Sequence, residues 1–237
     1  MGRAIAESFA AAGASVVAAD IDKAGGDETT AAIGAAGGIA TFVHTDVADS
    51  RSVAAMVRHA VDTYGTLDAA VNAAAIEGEN GPLADLDDDV FDRIQRVNVY
   101  GIYNCMKHEI RAMLPNGRGA IVNFASTNAF RPQPRQTAYT TSKHAVLGMT
   151  KAAAIDYAGK GIRINAIAPG SIDTPMLRNA MARRKNGDEA DTIARLSLIG
   201  RFGTVQEIAN AAMFLCSDEA SFVIGHTLAV DAGYLAR

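Results

Sequence analysis

Residues 138–146 read AYTTSKHAV and lie in a longer stretch, 138–158, whose pattern predicts a helix. Tyr139 and Lys143 are four residues apart, so this helix would place both side chains on one face, one turn apart. A free tyrosine has a pKa of ~10 and is a poor acid–base group at neutral pH. A neighbouring ammonium group favours the phenolate and lowers that pKa. The stretch therefore predicts a tyrosine that exchanges protons under the influence of a lysine.

A serine stands at the end of the predicted strand that precedes this helix. Residues 121–126 read IVNFAS, and residues 120–124 have the pattern of a buried strand. Ser126 is therefore expected at the carboxyl edge of a sheet, where the ligands of open α/β sheets bind. We expect its hydroxyl to lie near Tyr139 and Lys143.

Strand-like and helix-like stretches alternate along the whole chain. The predicted strands are 14–19, 39–45, 67–71, 120–124, 162–168 and 227–230, and the predicted helices are 2–12, 23–36, 50–64, 91–114, 138–158 and 205–215. Such alternation is typical of βαβ units and a parallel sheet. The chain has 237 residues, which suits one doubly wound α/β domain over 1–237. The pattern begins with a helix, which is unusual for this architecture.

Composition narrows the functional classes. Hydrophobic residues make up 49% and charged residues 20%, as in a globular protein in water. The net charge of −4 argues against nucleic acid and anionic membranes as partners. No apolar stretch approaches the ~18 residues of a membrane span. Cys105 and Cys216 have no metal-ligand spacing and lie in apolar runs, which indicates reduced thiols, no metal site and a cytoplasmic location.

A serine followed thirteen positions later by YxxxK resembles the catalytic signature of the short-chain dehydrogenase/reductase family. The resemblance extends along the chain and implies a three-layer Rossmann-like fold that transfers hydride between NAD(P) and a secondary alcohol or ketone. It implies that Tyr139 exchanges the proton, that Ser126 binds the reacting oxygen, and that Lys143 also holds the nicotinamide ribose. Asn98, in RVNVYG, would bend its helix and hold a water that links Lys143 to solvent.

Asp20 indicates which cofactor is used. It ends a predicted strand, 18 residues after Gly2, where an acid hydrogen-bonds the adenosine ribose and repels a 2′-phosphate. No arginine or lysine occupies residues 19–22. This predicts NAD rather than NADP. The alternative is that Asp20 or Asp22 merely caps the next helix.

The other cofactor residues are implied by matches to family motifs. Asp46-Val47 resembles the DV pair that holds adenine, residues 72–75 (NAAA) stand in place of NNAG, and residues 169–174 (PGSIDT) resemble the run that passes the nicotinamide. Alanine at position 75 is a mild departure, because it is still small. The implied cofactor residues are Gly2, Asp20, Ile21, Asp46, Val47, Asn72, Ala73, Ala74, Tyr139, Lys143, Pro169, Gly170, Ile172 and Thr174.

The family geometry also implies a substrate pocket, with residues 171–203 as a lid over it. Its expected lining is Ile76, Glu77, Thr127, Asn128, Phe130, Ser171 and Met176. The stretches NAAI, MKH and DTPML are similar to members that act on cyclic diols and cyclic alcohols. A 3-oxoacyl thioester reductase is the alternative, although its usual NADP preference fits Asp20 less well. The resemblance implies a homotetramer or homodimer formed through helices 91–114 and 138–158.

The beginning of the chain departs from the family pattern. Family members start with a strand, then TGxxxGxG, then a helix, whereas here only Gly2 matches, as the third glycine. The missing strand would lie in mid-sheet, between the strands that end at Asp20 and Asn72. Our hypothesis is that the sequence is shortened and that the functional protein carries this strand. A native mass equal to the 24.7 kDa of these residues would contradict it.

A different functional class is also compatible with this departure. Without the glycine-rich loop, the chain could be a non-catalytic family member that acts as an assembly subunit. Retention of Ser126, Tyr139, Lys143 and Asn98 argues against this, because nothing structural requires all of them.

Overall fold

The computed structural model describes residues 1–79, 81–182 and 189–237. The strands are β1 (Ser15–Asp20), β2 (Ile39–His44), β3 (Ala69–Asn72), β4 (Gly119–Phe124), β5 (Ile162–Pro169) and β6 (Thr227–Val230). The helices are α1 (Gly2–Ala11), α2 (Lys23–Ala35), α3 (Ser50–Tyr64), α4 (Asp88–Gln95), α5 (Gly101–Met113), α6 (Thr137–Tyr157), α7 (Pro175–Ala182), α8 (Glu189–Leu196) and α9 (Val205–Cys216). Each predicted strand forms, with its ends within two residues of those predicted.

The strands pair in parallel throughout the described part of the chain. β1 pairs with β2, and β3, β4, β5 and β6 follow one another in that order. Val71 lies beside Val122, and Ile121 lies beside Ile164. Helices α3, α5 and α6 pack on one side of the strands, while α1, α2 and α9 pack on the other. The predicted doubly wound α/β fold is thereby confirmed.

Strand β4 shows why the central strands are apolar at successive positions. Ile121 packs towards α5 and α6, in a cluster with Met106 and Val146. Its neighbour Val122 points to the opposite face and packs towards α1 and α9, with Ile208. A parallel strand that is buried on both faces needs apolar side chains on both. Burying each such side chain contributes roughly 1.5–3 kcal/mol, so β4 anchors both halves of the core.

The sheet is interrupted between β1 and β3. Among the described residues, β1 pairs only with β2, and β3 pairs only with β4. A cavity of about 750 Å³ separates the two strands, and its walls include Ile5 and Phe9 of α1 and Ile102 and Cys105 of α5. The interruption lies at the position expected for the missing strand.

The predicted helix 91–114 differs from the observed structure in two ways. It begins earlier, at Asp88, because the Asp87 carboxylate accepts a hydrogen bond of 2.8 Å from the Asp89 N–H and caps α4. The acidic run conceals this helix start, since its residues also favour turns. The helix is also interrupted by a π-helical turn, Arg96–Tyr100, which joins α4 to α5 and carries Asn98.

The predicted lid, 171–203, contains regular structure that its charged sequence did not reveal. Helix α7 precedes residues 183–188, which lie outside the described residues, and α8 follows them. Both helices contribute side chains to the same cavity as Ser126. Within the described ranges, no helix has the length and apolar content that a membrane span requires.

Candidate active site

Ser126 is held at the carboxyl edge of the sheet by the end of β4. The Ala125 N–H donates to the Ile167 carbonyl of β5 at 2.8 Å, so the pairing of the two strands continues up to the serine. Ser126 then caps a short 3₁₀ turn, Thr127–Ala129, by accepting a hydrogen bond from the Asn128 N–H at 3.2 Å. Strand pairing and turn together fix where its hydroxyl lies.

Tyr139 and Lys143 lie one turn apart on α6, as their spacing predicts. The Lys143 ammonium is 5.5 Å from the centre of the Tyr139 ring. It also donates a hydrogen bond of 2.8 Å to the Phe124 carbonyl at the end of β4. Lys143 is only 2% exposed, so this bond satisfies a buried charge and ties α6 to the strand that positions Ser126.

Burial dominates the acid–base properties of the pair. It raises the pKa of Tyr139 to about 12, although a hydrogen bond with Ser126 acts in the opposite direction. Burial lowers the pKa of Lys143 to about 8. The expectation that Lys143 brings the pKa of Tyr139 below its ordinary value is therefore wrong for the protein by itself. The phenol is surrounded by low-dielectric protein, and the ammonium is directed at the Phe124 carbonyl.

Asn98 is fully buried in the π-helical turn and uses its side-chain amide for structure. Its oxygen accepts from the Ile76 N–H at 2.8 Å, while its nitrogen donates to the Ile76 carbonyl at 2.9 Å and to the Ser142 hydroxyl at 3.0 Å. Ser142 precedes Lys143 on α6. Asn98 therefore connects the chain that follows β3 to the helix that carries Tyr139 and Lys143.

Glu79 holds the beginning of α6 from a distant part of the chain. Its carboxylate accepts hydrogen bonds of 2.8 Å from the Ala138 N–H and 2.7 Å from the Tyr139 N–H. These N–H groups belong to the first turn of α6, where Gln136, at the cap position, makes no side-chain cap bond. A buried carboxylate from sixty residues away thus takes the place of a local cap. No spacing in the sequence indicated this role.

A cavity of about 170 Å³, here called the reaction cavity, brings Ser126, Tyr139 and Lys143 together. Its lining includes these expected substrate residues: Glu77, Thr127, Asn128, Ser171 and Met176. Two other expected residues do not line it. The backbone of Ile76 is hydrogen-bonded to the Asn98 side chain. Phe130 lies beyond the 3₁₀ turn and is 51% exposed.

Several further lining residues were not named individually from the sequence. They include Gln133, Gln136 and Tyr234, and also Leu177, Thr192 and Leu196 within the predicted lid. Gln136 lies three positions before Tyr139, so helical periodicity extended by one turn would have indicated it. Tyr234 carries no such signal, because only the path of the C-terminal segment brings it over the cavity.

The expected cofactor residues are divided between the two cavities. Pro169, Gly170, Ile172 and Thr174 line the reaction cavity, whereas Gly2, Asp20, Val47, Asn72 and Ala74 line the larger cavity beside β1, and Ala73 lines both. Two expected residues lie elsewhere. Ile21 is 64% exposed, because it lies beyond the end of β1. The Asp46 carboxylate accepts from the Ala48 N–H at 2.9 Å, within its own turn.

The residues present fit a dinucleotide that runs from the reaction cavity to the end of β1. Asp20, at the end of β1, is an exposed carboxylate suited to ribose hydroxyls. At the other end, a Cβ on Gly170 would come within 2.7 Å of the Asp231 Cα, so glycine allows this segment to pass close to the last strand. Arg3, a basic residue of the larger cavity, is paired with Glu28 at 2.8 Å.

The sequence matches known proteins over nearly its full length. A family profile described as enoyl-(acyl carrier protein) reductase covers residues 1–235. A short-chain dehydrogenase/reductase of Aspergillus oryzae is 40% identical over 235 residues, covering 98% of this chain and 90% of that protein. A 2,5-dichloro-2,5-cyclohexadiene-1,4-diol dehydrogenase of Sphingobium indicum is 40% identical over 237 residues, covering 100% and 93%. A cis-4-hydroxycyclohexanecarboxylate dehydrogenase of Sinomonas cyclohexanicum is 40% identical over 236 residues, covering 100% and 92%.

Solved structures share the fold. Levodione reductase superposes with a TM-score of 0.95 at 34% identity, covering 99% of this chain and 93% of that chain. A gluconate 5-dehydrogenase from Burkholderia cenocepacia, in complex with NADP and tartrate, has a TM-score of 0.91 at 31% identity, covering 99% and 90%. An NAD⁺-bound xylitol dehydrogenase has a TM-score of 0.92 at 29% identity, covering 98% and 94%.

Proposed function

Because this chain belongs to the short-chain dehydrogenase/reductase family, we propose that it is an NAD-dependent enzyme that interconverts a secondary alcohol and a ketone. One observation carries the proposal: Ser126, Tyr139 and Lys143 line a single cavity together with the Pro169–Gly170 segment. A phenol, a hydroxyl and an ammonium group can thus act on one substrate oxygen beside the expected nicotinamide site.

The chemistry is divided among these residues. When bound, the nicotinamide cofactor supplies or takes up the hydride, and its oxidised ring adds a positive charge. In alcohol oxidation, the Tyr139 oxygen takes the proton from the substrate hydroxyl, and Ser126 hydrogen-bonds the same substrate oxygen. With the cofactor bound, Lys143, whose ammonium lies 5.5 Å from the centre of the Tyr139 ring, would favour the phenolate together with that added charge. In ketone reduction, Tyr139 returns the proton. Asn98 and Glu79 position α6.

The preference for NAD rests on charge at the end of β1. Asp20 stands where the adenosine ribose is expected, and a 2′-phosphate there would meet a carboxylate. The nearby cations are already paired, Arg3 with Glu28 at 2.8 Å and Lys23 with Asp27 at 2.5 Å. We expect kcat/KM to be higher with NAD than with NADP, and the opposite order would refute the assignment.

The substrate class follows from relatives with 40% identity, whose names specify cyclic diols and cyclic alcohols. A cyclic secondary alcohol also suits a reaction cavity of about 170 Å³ between the sheet edge and helices α7 and α8. The same reasoning makes a 3-oxoacyl thioester the less favoured substrate. Kinetics with cyclic alcohols and a short thioester would rank the two.

We further propose a homotetramer or homodimer in a reducing cytoplasm. The faces of α5 and α6 carry exposed apolar side chains, with Tyr103 at 49% and Ile155 at 82% exposure, and Tyr100 just before α5 is 61% exposed. These surfaces suit pairing with a second copy. Cys105 and Cys216 are free thiols, and burial raises the pKa of both. Sedimentation at monomer mass would refute the assembly.

The decisive experiment is Tyr139→Phe, which removes the proton-exchanging oxygen and keeps the ring. In this and the following activity and affinity measurements, the parent protein carries the strand expected ahead of Met1. General acid–base groups contribute about 10²–10⁴-fold, so we expect turnover to fall by at least a hundredfold while NAD affinity is retained. Formation of reduced cofactor measures turnover, and calorimetry measures affinity.

Tyr157→Phe is the matched control, at the other end of α6, where the Lys160 ammonium lies over the Tyr157 ring. It should leave turnover unchanged. Turnover by Tyr139→Phe close to that of the parent protein would refute the role. A parent protein that turns over no alcohol or ketone would instead favour the assembly-subunit alternative.

A further inference from the structure

Two side-chain amides in the reaction cavity have no part in the chemistry assigned above. The Asn128 amide nitrogen donates a hydrogen bond of 2.5 Å to the Gln136 amide oxygen, and the two residues are here called the amide pair. Asn128 follows Ser126 by two residues, and Gln136 precedes Tyr139 by three. The amide pair is therefore anchored to the two segments that present the catalytic oxygen atoms, and it lines the same cavity.

The amide pair leaves one donor and one acceptor open. The side-chain nitrogen of Gln136 and the side-chain oxygen of Asn128 have no hydrogen-bond partner within the described part of the chain. Neither atom is fully buried. If both amide groups were turned over, the open atoms would be the Asn128 nitrogen and the Gln136 oxygen. Each orientation thus offers one N–H donor beside one carbonyl acceptor.

The local structure leaves these atoms free. Gln136 occupies the cap position of α6, where a side chain usually bonds to the first turn of the helix. Glu79 already accepts from the Ala138 and Tyr139 N–H groups. The Gln136 side chain is thereby released from capping and faces Asn128 instead.

We propose that the amide pair binds a second hydroxyl group of the substrate, which makes the preferred substrate an uncharged cyclic diol; this inference rests on the proposed function. A hydroxyl donates and accepts, so it satisfies the open carbonyl and the open N–H together. An ether or ketone oxygen only accepts, and it would leave the open carbonyl without a donor.

A carboxylate suits the amide pair less well. It also lacks a donor, and burying its charge requires a cation. Among the described lining residues, Lys143 is the one cationic side chain, and its ammonium donates to the Phe124 carbonyl. A neutral second group is therefore favoured over an acidic one.

Gln133 provides a matched control in the same cavity. Its oxygen accepts from the Arg195 guanidinium at 3.2 Å, and its nitrogen donates to the Tyr234 hydroxyl. Both of its polar atoms are already in use. Removing this amide should therefore not alter the discrimination between substrates that differ in a second hydroxyl.

The test compares kcat/KM for cyclohexanol, the positional isomers of cyclohexanediol, the corresponding methoxycyclohexanols and hydroxycyclohexanecarboxylate, all with saturating NAD. Two neutral hydrogen bonds give a preference of about tenfold, so we expect the best diol to exceed cyclohexanol and its own methyl ether by about that factor. The carboxylate should rank below the diol.

Three variants then locate the effect. Gln136→Met removes the donor, and Gln136→Glu replaces it with an acceptor; each should lower the ratio of diol to cyclohexanol kcat/KM to near one. Gln133→Met should retain the ratio of the parent protein. Equal use of diol and cyclohexanol by the parent protein, or an unchanged ratio in both Gln136 variants, overturns the role of the amide pair and leaves the proposed function intact. Failure of the parent protein to oxidise any alcohol overturns both.

Discussion

Glu109 is a titratable side chain buried away from the proposed chemistry. It is 3% exposed on α5, and within the described residues its hydrogen-bond donor is the Asn72 amide at 3.0 Å. One such bond does not replace the hydration that a carboxylate loses on burial. Burial accordingly raises the pKa of Glu109 to about 7, although the bond from Asn72 acts in the opposite direction.

This raised pKa makes stability depend on pH. The unfolded carboxyl titrates near 4.5 and the folded one near 7, so between these values the folded protein holds a proton that the unfolded chain releases. The contribution of Glu109 to the free energy of unfolding is therefore greatest below about pH 4.5, falls as pH rises towards 7, and levels off above it. Glu109→Gln keeps an acceptor for Asn72 but cannot ionise. Between pH 4.5 and 8, we expect its free energy of unfolding to increase relative to that of the parent protein by on the order of 3 kcal/mol, as measured by denaturant titration.

Glu219→Gln makes the same chemical change at an exposed position and serves as the control. It should follow the pH profile of the parent protein. A Glu109→Gln profile parallel to that of the parent protein at every pH would show that the carboxyl is not buried as described.

At the scale of single residues, the sequence predicted the grouping of the proposed catalytic side chains better than it predicted which other side chains line the reaction cavity. The spacing of Ser126, Tyr139 and Lys143 was informative because strand ends and helix turns constrain where such side chains can lie. The positions of Ile76 and Phe130 were wrong, because backbone bonds to Asn98 and the geometry of a 3₁₀ turn decide which way each one faces. Neither feature leaves a periodic pattern.

At the scale of elements, α6 depends on a remote carboxylate. Glu79, which is 7% exposed, closes the first turn of the helix through the Ala138 and Tyr139 N–H groups. The negative charge also lies at the positive end of the helix dipole, which adds to the stabilisation. Because one of the two N–H groups belongs to Tyr139 itself, the same contact fixes the backbone that carries the phenol.

Glu79→Ala should therefore lower both stability and turnover. Loss of two hydrogen bonds to a carboxylate at a helix start costs about 2 kcal/mol, which denaturant titration measures. We expect kcat to fall because the Tyr139 backbone loses its anchor, and Glu79→Gln should recover part of both losses through its remaining acceptor.

Asp87→Ala is the control for this prediction. It removes an exposed cap from α4, which accepts from the Asp89 N–H at 2.8 Å. It should cost about 1 kcal/mol of stability and leave kcat unchanged. A Glu79→Ala protein with parental stability and kcat would show that the first turn of α6 holds without the carboxylate.

Two elements show where the sequence pattern is less informative. The π-helical turn at Arg96–Tyr100 lies where the family resemblance implied a bend at Asn98, and its bonds to the Ile76 backbone join residues far apart in sequence. Helix α8 has a buried Thr192 and begins with acidic residues, a pattern that also suits a solvated loop. Helix α6 and strand β4, in contrast, were located to within a residue.

At the scale of the whole molecule, the interruption between β1 and β3 limits both stability and cofactor binding. The facing edges of the two strands have no strand partner in the described residues, and unpaired backbone groups beside a cavity of about 750 Å³ are unfavourable. Gly2, Asp20 and Ala73 line this cavity, so the adenosine end of the proposed cofactor site shares its walls. A loosely held β1 would leave Asp20 poorly positioned for a ribose.

A protein of these 237 residues alone should therefore bind NAD weakly or not at all, which calorimetric titration measures. Joining an apolar strand of about six residues and a glycine-rich turn ahead of Met1 should raise both the free energy of unfolding and NAD affinity, because a strand between β1 and β3 pairs both edges and fills the cavity. The same addition with its apolar positions changed to serine is the control, since it supplies backbone but little burial. NAD binding that is equally tight with and without the apolar strand would show that β1, as described, already holds Asp20 in place.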